Sequence, residues 1–227
     1  MLIASSLVVA SALLASAALT ARPLVTTPPL VVGVTVVSDI SPMQVTRVLK
    51  EAAEIWRAAG VDVVWQCDNG TVAARPSVRV TIGNWRGTGI AEDQTMPLGW
   101  IVFTDGAPEH EVYVSYTNAV ALLDLSRGHV SASAQMPRAE REALLGRAMG
   151  RAVAHELGHF LLASSAHSAR GLMQAKRTAN EFFSTERSRF EVAPRDRASV
   201  VARMMPPTAV ASIQPAVVSE TAIGGIR

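Results

Sequence analysis

His155-Glu156-Leu157-Gly158-His159 lies inside a long apolar-periodic stretch, and its reading decides the fold. Helical residues four apart share a face, so a helix here aims both imidazoles at one point. Glu156 follows the first histidine directly and can reach a water on a shared ion without ligating that ion. A zinc site that activates water needs this division of labour. The opposing reading is a surface helix with two solvated histidines. The flanks argue against it, because Leu144, Leu145, Met149, Ala152, Val153, Leu157, Phe160 and Leu161 put apolar groups on more than one side. A helix of that kind is largely buried. Buried histidines and a buried carboxylate need pairing, hydrogen bonds or a metal.

A catalytic zinc keeps three protein ligands and one open position. Two residues beyond the helix qualify as the third ligand. His167 lies in Ser164-Ser165-Ala166-His167-Ser168, and a short turn after a helix ending near Ala163 brings it back to the helix end. Glu181 lies in Asn180-Glu181-Phe182-Phe183-Ser184, which is similar to the Asn-Glu-x-x-Ser pattern that supplies a carboxylate ligand in thermolysin-like enzymes. That geometry needs a second helix crossing the first, and residues 178–188 are charged and only weakly amphipathic. His167 has the geometric advantage, with Glu181 as the alternative. His110 and His129 fall in turn or loop contexts and read as solvated. Cys67, the single cysteine, permits no internal disulfide. It reads as a small buried apolar residue, against the sharper reading of a thiolate that caps the zinc.

The chain has 227 residues, long enough for one domain with a sizeable core. Its 21 basic and 19 acidic side chains leave a net charge of +2 without a basic cluster, which points away from nucleic acid as a partner. Leu2 to Ala21 carries no charged side chain, and small residues recur at Ala15-Ser16-Ala17-Ala18. Residues 1–21 therefore read as a signal peptide cleaved after Ala17 or Ala18. The alternative is an uncleaved N-terminal anchor, since about 20 apolar residues span a bilayer. On either reading the remainder is expected to be secreted, periplasmic or on the cell envelope, touching a membrane only through such an anchor. Residues 22–29 form a Pro/Thr linker, 30–207 the expected catalytic domain, and 208–227 an Ala/Val/Ser-rich loose tail.

Leu30 to Val37 is β-branched and apolar, a first strand. Ser41-Pro42 opens a helix with Ser as N-cap and Pro at the first helical position, and Gly60 stops it. Val61–Trp65, Val78–Ile82, Gly99–Phe103 and Glu111–Ser115 predict four further strands, the second of these alternating with polar Arg79 and Thr81. Asp68-Asn69-Gly70 and Asp105-Gly106 turn the chain, and Gly83–Pro97 and Ser131–Pro137 read as loops. A short helix is expected over Asn118–Leu125, the motif helix from about Arg138 to Leu162, and a last one over Ala193–Met205, stopped by Pro206-Pro207. This order predicts an α+β fold, a small mixed twisted sheet packed on two main helices with an irregular C-terminal part.

Taken together, these residues resemble a family of metzincin-like secreted bacterial zinc metalloproteases. The family's site reads His-Glu-Leu-Gly-His, then Leu-Leu-Gly, His-Ser and Gly-Ile-Met. The matching residues are His155 to His159, Leu161-Leu162-Ala163, His167-Ser168 and Gly171-Leu172-Met173. The run from Ala59 to Cys67 is similar to the family's first helix–strand junction, and Glu111-Val112-Tyr113-Val114 stands where its cleft-edge strand would be. The resemblance spans roughly residues 31–205 and implies a zincin-like fold. It implies Zn2+ held by His155, His159 and His167, and Glu156 as general base in the hydrolysis of a peptide or protein substrate. It also implies an extended substrate paired to the strand Glu111–Ser115. Met173, ordinary core by composition, would be the apolar floor beneath the histidines.

Three departures stand out. Leu162 and Ser165 occupy the places of the metzincin glycine and third histidine, so the third ligand arrives through a longer turn. Ala163 replaces the usual glycine; a left-handed C-cap costs alanine about 1 kcal/mol or more, so a different helix exit is expected. No tryptophan follows Met173 closely. The competing function is a secreted zinc-binding protein without catalytic activity, with a fourth protein ligand such as Cys67 closing the site. A metal-free module is a third reading.

Overall fold

The computed structural model describes residues 27–37, 39–67, 76–84, 97–126 and 132–205. The expected signal or anchor segment, the turn at 68–70, most of the 83–97 loop, His129 and the tail at 208–227 lie outside the described residues.

Strand β1 (Leu30–Val36) leads into helix α1 (Pro42–Ala58). The Ser41 hydroxyl accepts the Gln44 N–H at 3.1 Å, and Pro42 sits in the first turn, where its missing N–H costs nothing. The helix ends in a Schellman closure. Gly60 takes φ 84°, and the N–H groups of Gly60 and Val61 donate to the carbonyls of Arg57 (2.9 Å) and Trp56 (3.0 Å). Val61 is buried in this closure, so β2 runs over Val63–Cys67, two residues later than its apolar pattern predicts.

Strands β3 (Val78–Gly83), β4 (Gly99–Thr104) and β5 (Ala107–Ser115) complete one sheet of order β2-β1-β3-β5-β4. Every pairing is parallel except β4 with β5, a hairpin. Asp105 (φ 52°) and Gly106 (φ 78°) form its two-residue turn, the left-handed pair that matches strand twist. The expected cleft-edge strand Glu111–Ser115 is corrected here. It lies inside the sheet, with β3 on one side and β4 on the other, and the edge belongs to β4. Alternation along a strand shows which face is apolar but not which neighbour it pairs with.

The register stacks Val32, Val78 and Val34, Val80, Val112 on the face that meets the helices. The opposite face carries polar rows, with Arg79 Nη1 donating to Thr35 Oγ1 (3.1 Å) and Thr81 Oγ1 to Glu111 Oε1 (2.9 Å). Helix α2 (Tyr116–Ser126) follows β5 directly, and a 3-10 turn (Ala132–Gln135) falls in the expected 131–137 loop. Helix α3 (Arg138–Leu162) has the span that the apolar pattern predicts. Two short helices follow: α4 (Ala179–Phe183), which periodicity did not reveal, and α5 (Pro194–Met204). The fold is α+β, a five-stranded mixed sheet against the two main helices α1 and α3.

The two main helices pack unusually close. A Cβ on Gly150 would lie 2.5 Å from Glu51 Cβ and 2.6 Å from the Val48 carbonyl oxygen. The indole of buried Trp56 donates to the Ala154 carbonyl at 3.1 Å. These contacts fix the rotation of α3. Gly150→Ala is expected to destabilise the protein by about 1–3 kcal/mol, because a backbone oxygen cannot move aside cheaply. Urea denaturation would measure the loss.

Candidate metal centre

Helix α3 sets His155 and His159 one turn apart on one face, with their Nε2 atoms 3.2 Å from each other. The His155 Nδ1–H donates to the Leu172 carbonyl at 2.8 Å, and the His159 Nδ1–H to the Ser164 carbonyl at 2.7 Å. A carbonyl oxygen only accepts, so these contacts hold each proton on Nδ1 and leave each Nε2 with a free lone pair.

The helix exit differs from the expectation. Ala163 adopts the left-handed cap itself (φ 47°, ψ 45°), despite its Cβ. The Ser164 N–H then returns to the His159 carbonyl at 3.2 Å, and the Ser164 carbonyl meets the His159 ring. The chain doubles back and brings exposed His167 alongside, its ring centroid 4.8 Å from that of His159 and 5.3 Å from that of His155. One ligand nitrogen from each of the three imidazoles lies within 4.8 Å of the others. The turn closes by Ser168 N–H to Met173 O (2.9 Å) and Gln174 N–H to Gly171 O (3.1 Å). Met173 is buried against the motif helix. A Cβ on Gly158 would come within 2.4 Å of its sulfur, so the glycine within the motif makes room for Met173.

Two Nε2 lone pairs facing each other at 3.2 Å repel unless a cation lies between them. Two nitrogens on a tetrahedral zinc at 2.0–2.1 Å stand roughly 3.3 Å apart, so the pair fits. Three neutral imidazoles with the outermost exposed are a donor set suited to zinc with an accessible position. Glu181 is not in this group. Its Oε2 accepts from the Thr178 N–H (2.8 Å) and hydroxyl (3.0 Å), and its Oε1 from Arg189 (3.3 Å). It is the reciprocal member of the α4 capping box, and Thr178-x-x-Glu181 was the sequence signal for that helix.

Cys67 is exposed, not buried. It sits on β2, four strands from β4 and so roughly 19 Å across the sheet, which removes it as a fourth ligand. His110 is on β5 rather than in a turn, exposed, with its Nδ1–H donating to the Ser77 carbonyl at 2.7 Å.

Glu156 is buried next to β4, which comes this close because residue 99 is glycine. A Cβ there would lie 3.0 Å from Glu156 Cγ. Burial pushes the Glu156 carboxyl up to about 8. Burial also pulls the histidines down, His155 to about 4, with His159 and His167 lowered for the same reason. All three are therefore neutral and free to ligate near pH 7. A cleft of about 530 Å³ opens over these groups, walled by β4 on one part and by residues from the 165–190 segment on another. Sequence reading missed Arg151, four residues before His155 and wholly buried. Its guanidinium meets Glu51 Oε1 (3.0 Å) and the carbonyls of Glu181 (2.5 Å), Phe182 (3.1 Å) and Glu186 (2.8 Å), and so holds the cleft wall to α3. The available signal was a charge between apolar Met149, Ala152 and Val153, where a buried guanidinium demands a partner.

Two outcomes follow from these energetics. In the metal-free protein, an unfolded chain releases the Glu156 proton above about 4.5 while the folded one keeps it to about 8, so stability falls as pH rises through that window. The depressed His155 acts oppositely, and its contribution is lost as pH falls from 6.5 towards 4. Thermal melts in chelator should thus show Tm falling between pH 6.5 and 8, and Glu156→Gln should abolish that fall. Separately, Ala163→Gly should raise stability by about 0.5–1 kcal/mol by removing the left-handed alanine, less the extra entropy of glycine in the unfolded chain. Chemical denaturation at fixed pH would read it.

No protein-family model matches the chain, and no curated protein matches it. Among solved structures, the chain is similar to archaemetzincin from Methanopyrus kandleri, with a TM-score of 0.46 and 13% identity over 78% of this chain and 96% of that one. It is also similar to myroilysin, with a TM-score of 0.28 and 13% identity over 80% of this chain and 87% of that one. At these scores the likeness assigns no role to any residue of this chain.

Proposed function

We propose that this chain is an exported, zinc-dependent peptidase of zincin-like architecture. The observation that carries the reading is the Nε2 pair of His155 and His159 at 3.2 Å, oriented by two backbone carbonyls and joined by His167, with a buried carboxylate beside it. His155, His159 and His167 would hold the metal. Zinc bound there supplies Lewis-acid activation of water and of a peptide carbonyl.

The protein's own groups do the rest. Glu156, next to the first histidine, takes the proton of the attacking water and passes it to the leaving amine. Burial alone favours the protonated carboxyl, and a dication held beside it would favour the carboxylate that accepts the proton, so the base role belongs to the metal-loaded protein. An extended peptide would lie along β4, whose outer edge pairs with no other strand among the described residues, and add to the sheet by main-chain hydrogen bonds. Phe103 on the same strand stands edge-on to His159, with ring centroids 6.2 Å apart, and borders the reacting position. Export is inferred from the apolar segment 1–21.

The test combines zinc stoichiometry with turnover of a degenerate peptide library. Glu156→Gln should keep one zinc per chain and lose about 10²–10⁴-fold in turnover. His167→Ala should lose zinc, whereas Glu181→Ala should retain it. Undiminished hydrolysis by Glu156→Gln would reject the mechanism, and zinc binding without any hydrolysis by the unaltered chain would leave a non-catalytic zinc protein.

A further inference from the structure

Two buried arginines, Arg151 and Arg177, form part of the cleft wall, and both stack over the Phe190 ring, with Cζ 4.5 and 4.0 Å from its centroid. They are not equivalent. The Arg151 guanidinium is engaged by Glu51 and three backbone carbonyls. The Arg177 side chain is 3% exposed, and its Nη2 donates to the carbonyls of Gly171 and Arg189. Its Nη1 is buried and has no hydrogen-bond partner. The nearest acid, Glu181 Oε1, is 4.0 Å away, and that carboxylate already serves Thr178 and Arg189. Glu156 is the sole acidic side chain lining the cleft among the described residues, and the proposed reaction uses it.

A desolvated guanidinium with a vacant donor is costly, and an anion at the wall relieves the cost. Little water stands between the charge and such a group, so screening is weak. Planar guanidinium and carboxylate are also matched in shape and charge. Resting on the peptidase reading, we propose that Arg177 makes the cleft selective for peptides that carry a carboxylate, either an acidic side chain near the cleaved bond or a free C-terminus.

The test uses the zinc-loaded full chain and two series of otherwise identical peptides. One series exchanges Asp for Asn at each position around the cleaved bond, and the other exchanges a free C-terminus for its amide. Both kcat/KM for the unaltered chain and calorimetric affinity for zinc-loaded Glu156→Gln are measured. The acid member should win by about 10- to 100-fold in one series, which identifies the source of the carboxylate. The ratio should fall to near one in Arg177→Met, which keeps an apolar stem over Phe190, and lie between in Arg177→Lys. Acid and amide handled alike by the unaltered chain in both series would overturn the inference, as would a preference that survives in Arg177→Met. If that variant does not fold, Arg177→Lys decides, and a ratio equal to that of the unaltered chain overturns the inference. If no peptide is cleaved, the peptidase reading fails, and the affinity ratios decide the carboxylate preference by themselves.

Discussion

The chain's return over the C-terminal end of α3 turns two helical histidines into a site. A straight helix offers a shared face only every third or fourth residue, and each turn moves the next side chain about 5.4 Å along the axis. A third imidazole close to both must come from elsewhere. Residues 163–174 supply it and do more. Ser164 and Leu172 present the carbonyls that orient His159 and His155, His167 closes the group, and Met173 fills the hollow above Gly158. The strained cap at Ala163 starts the reversal. The grouping of the three imidazoles and the orientation of two of their rings therefore depend on the same short segment.

That segment and the residues after it contain little regular structure, so a hydrogen-bonded ladder does not hold them. Charges do. Glu51 on α1 receives Arg151 from α3 and Arg187 from the C-terminal part, while Arg187 also reaches Glu54. Arg151 in turn grips three carbonyls of the 181–186 stretch. A buried ion pair of this kind adds little net stability, yet removing one partner costs about 3–5 kcal/mol because the other is left buried and unpaired. The arrangement is better understood as specifying where the wall sits than as cementing the fold. It also explains why a charged residue occurs one turn before His155 on the buried part of the helix.

Close packing gives the site its other constraint. Gly150 lets α3 settle onto α1, and Gly99 lets β4 settle onto Glu156. Glu156 is thereby buried while His167 stays exposed, so one flank of the group is dry and the other open. A proton-carrying carboxyl and an approachable donor set are both consequences of that asymmetry.

The elements that local chemistry governs could be read directly from the residues. Ser41-Pro42 and Gly60 bound α1, the apolar pattern gives α3 from Arg138 to Leu162, and Asp105-Gly106 marks the hairpin. The grouping of His155 with His159 follows from helical period alone. Misreadings arose where distant segments decide. The alternation in β5 could not disclose that β4 takes the sheet edge, and a lone Cys67 gave no sign that its strand is the opposite, exposed edge. Glu181, kept as the alternative to His167, was set aside only once its capping partner Thr178 and its arginines were placed around it. The sequence by itself thus determined the helix, its two imidazoles and the carboxylate between them, because those depend on contacts within a few residues. Only the tertiary structure decided the third imidazole's position, the place of β4 at the sheet edge among the described residues and the arginine-lined wall. Each of these is set by the packing of segments far apart in the chain, which no local pattern encodes.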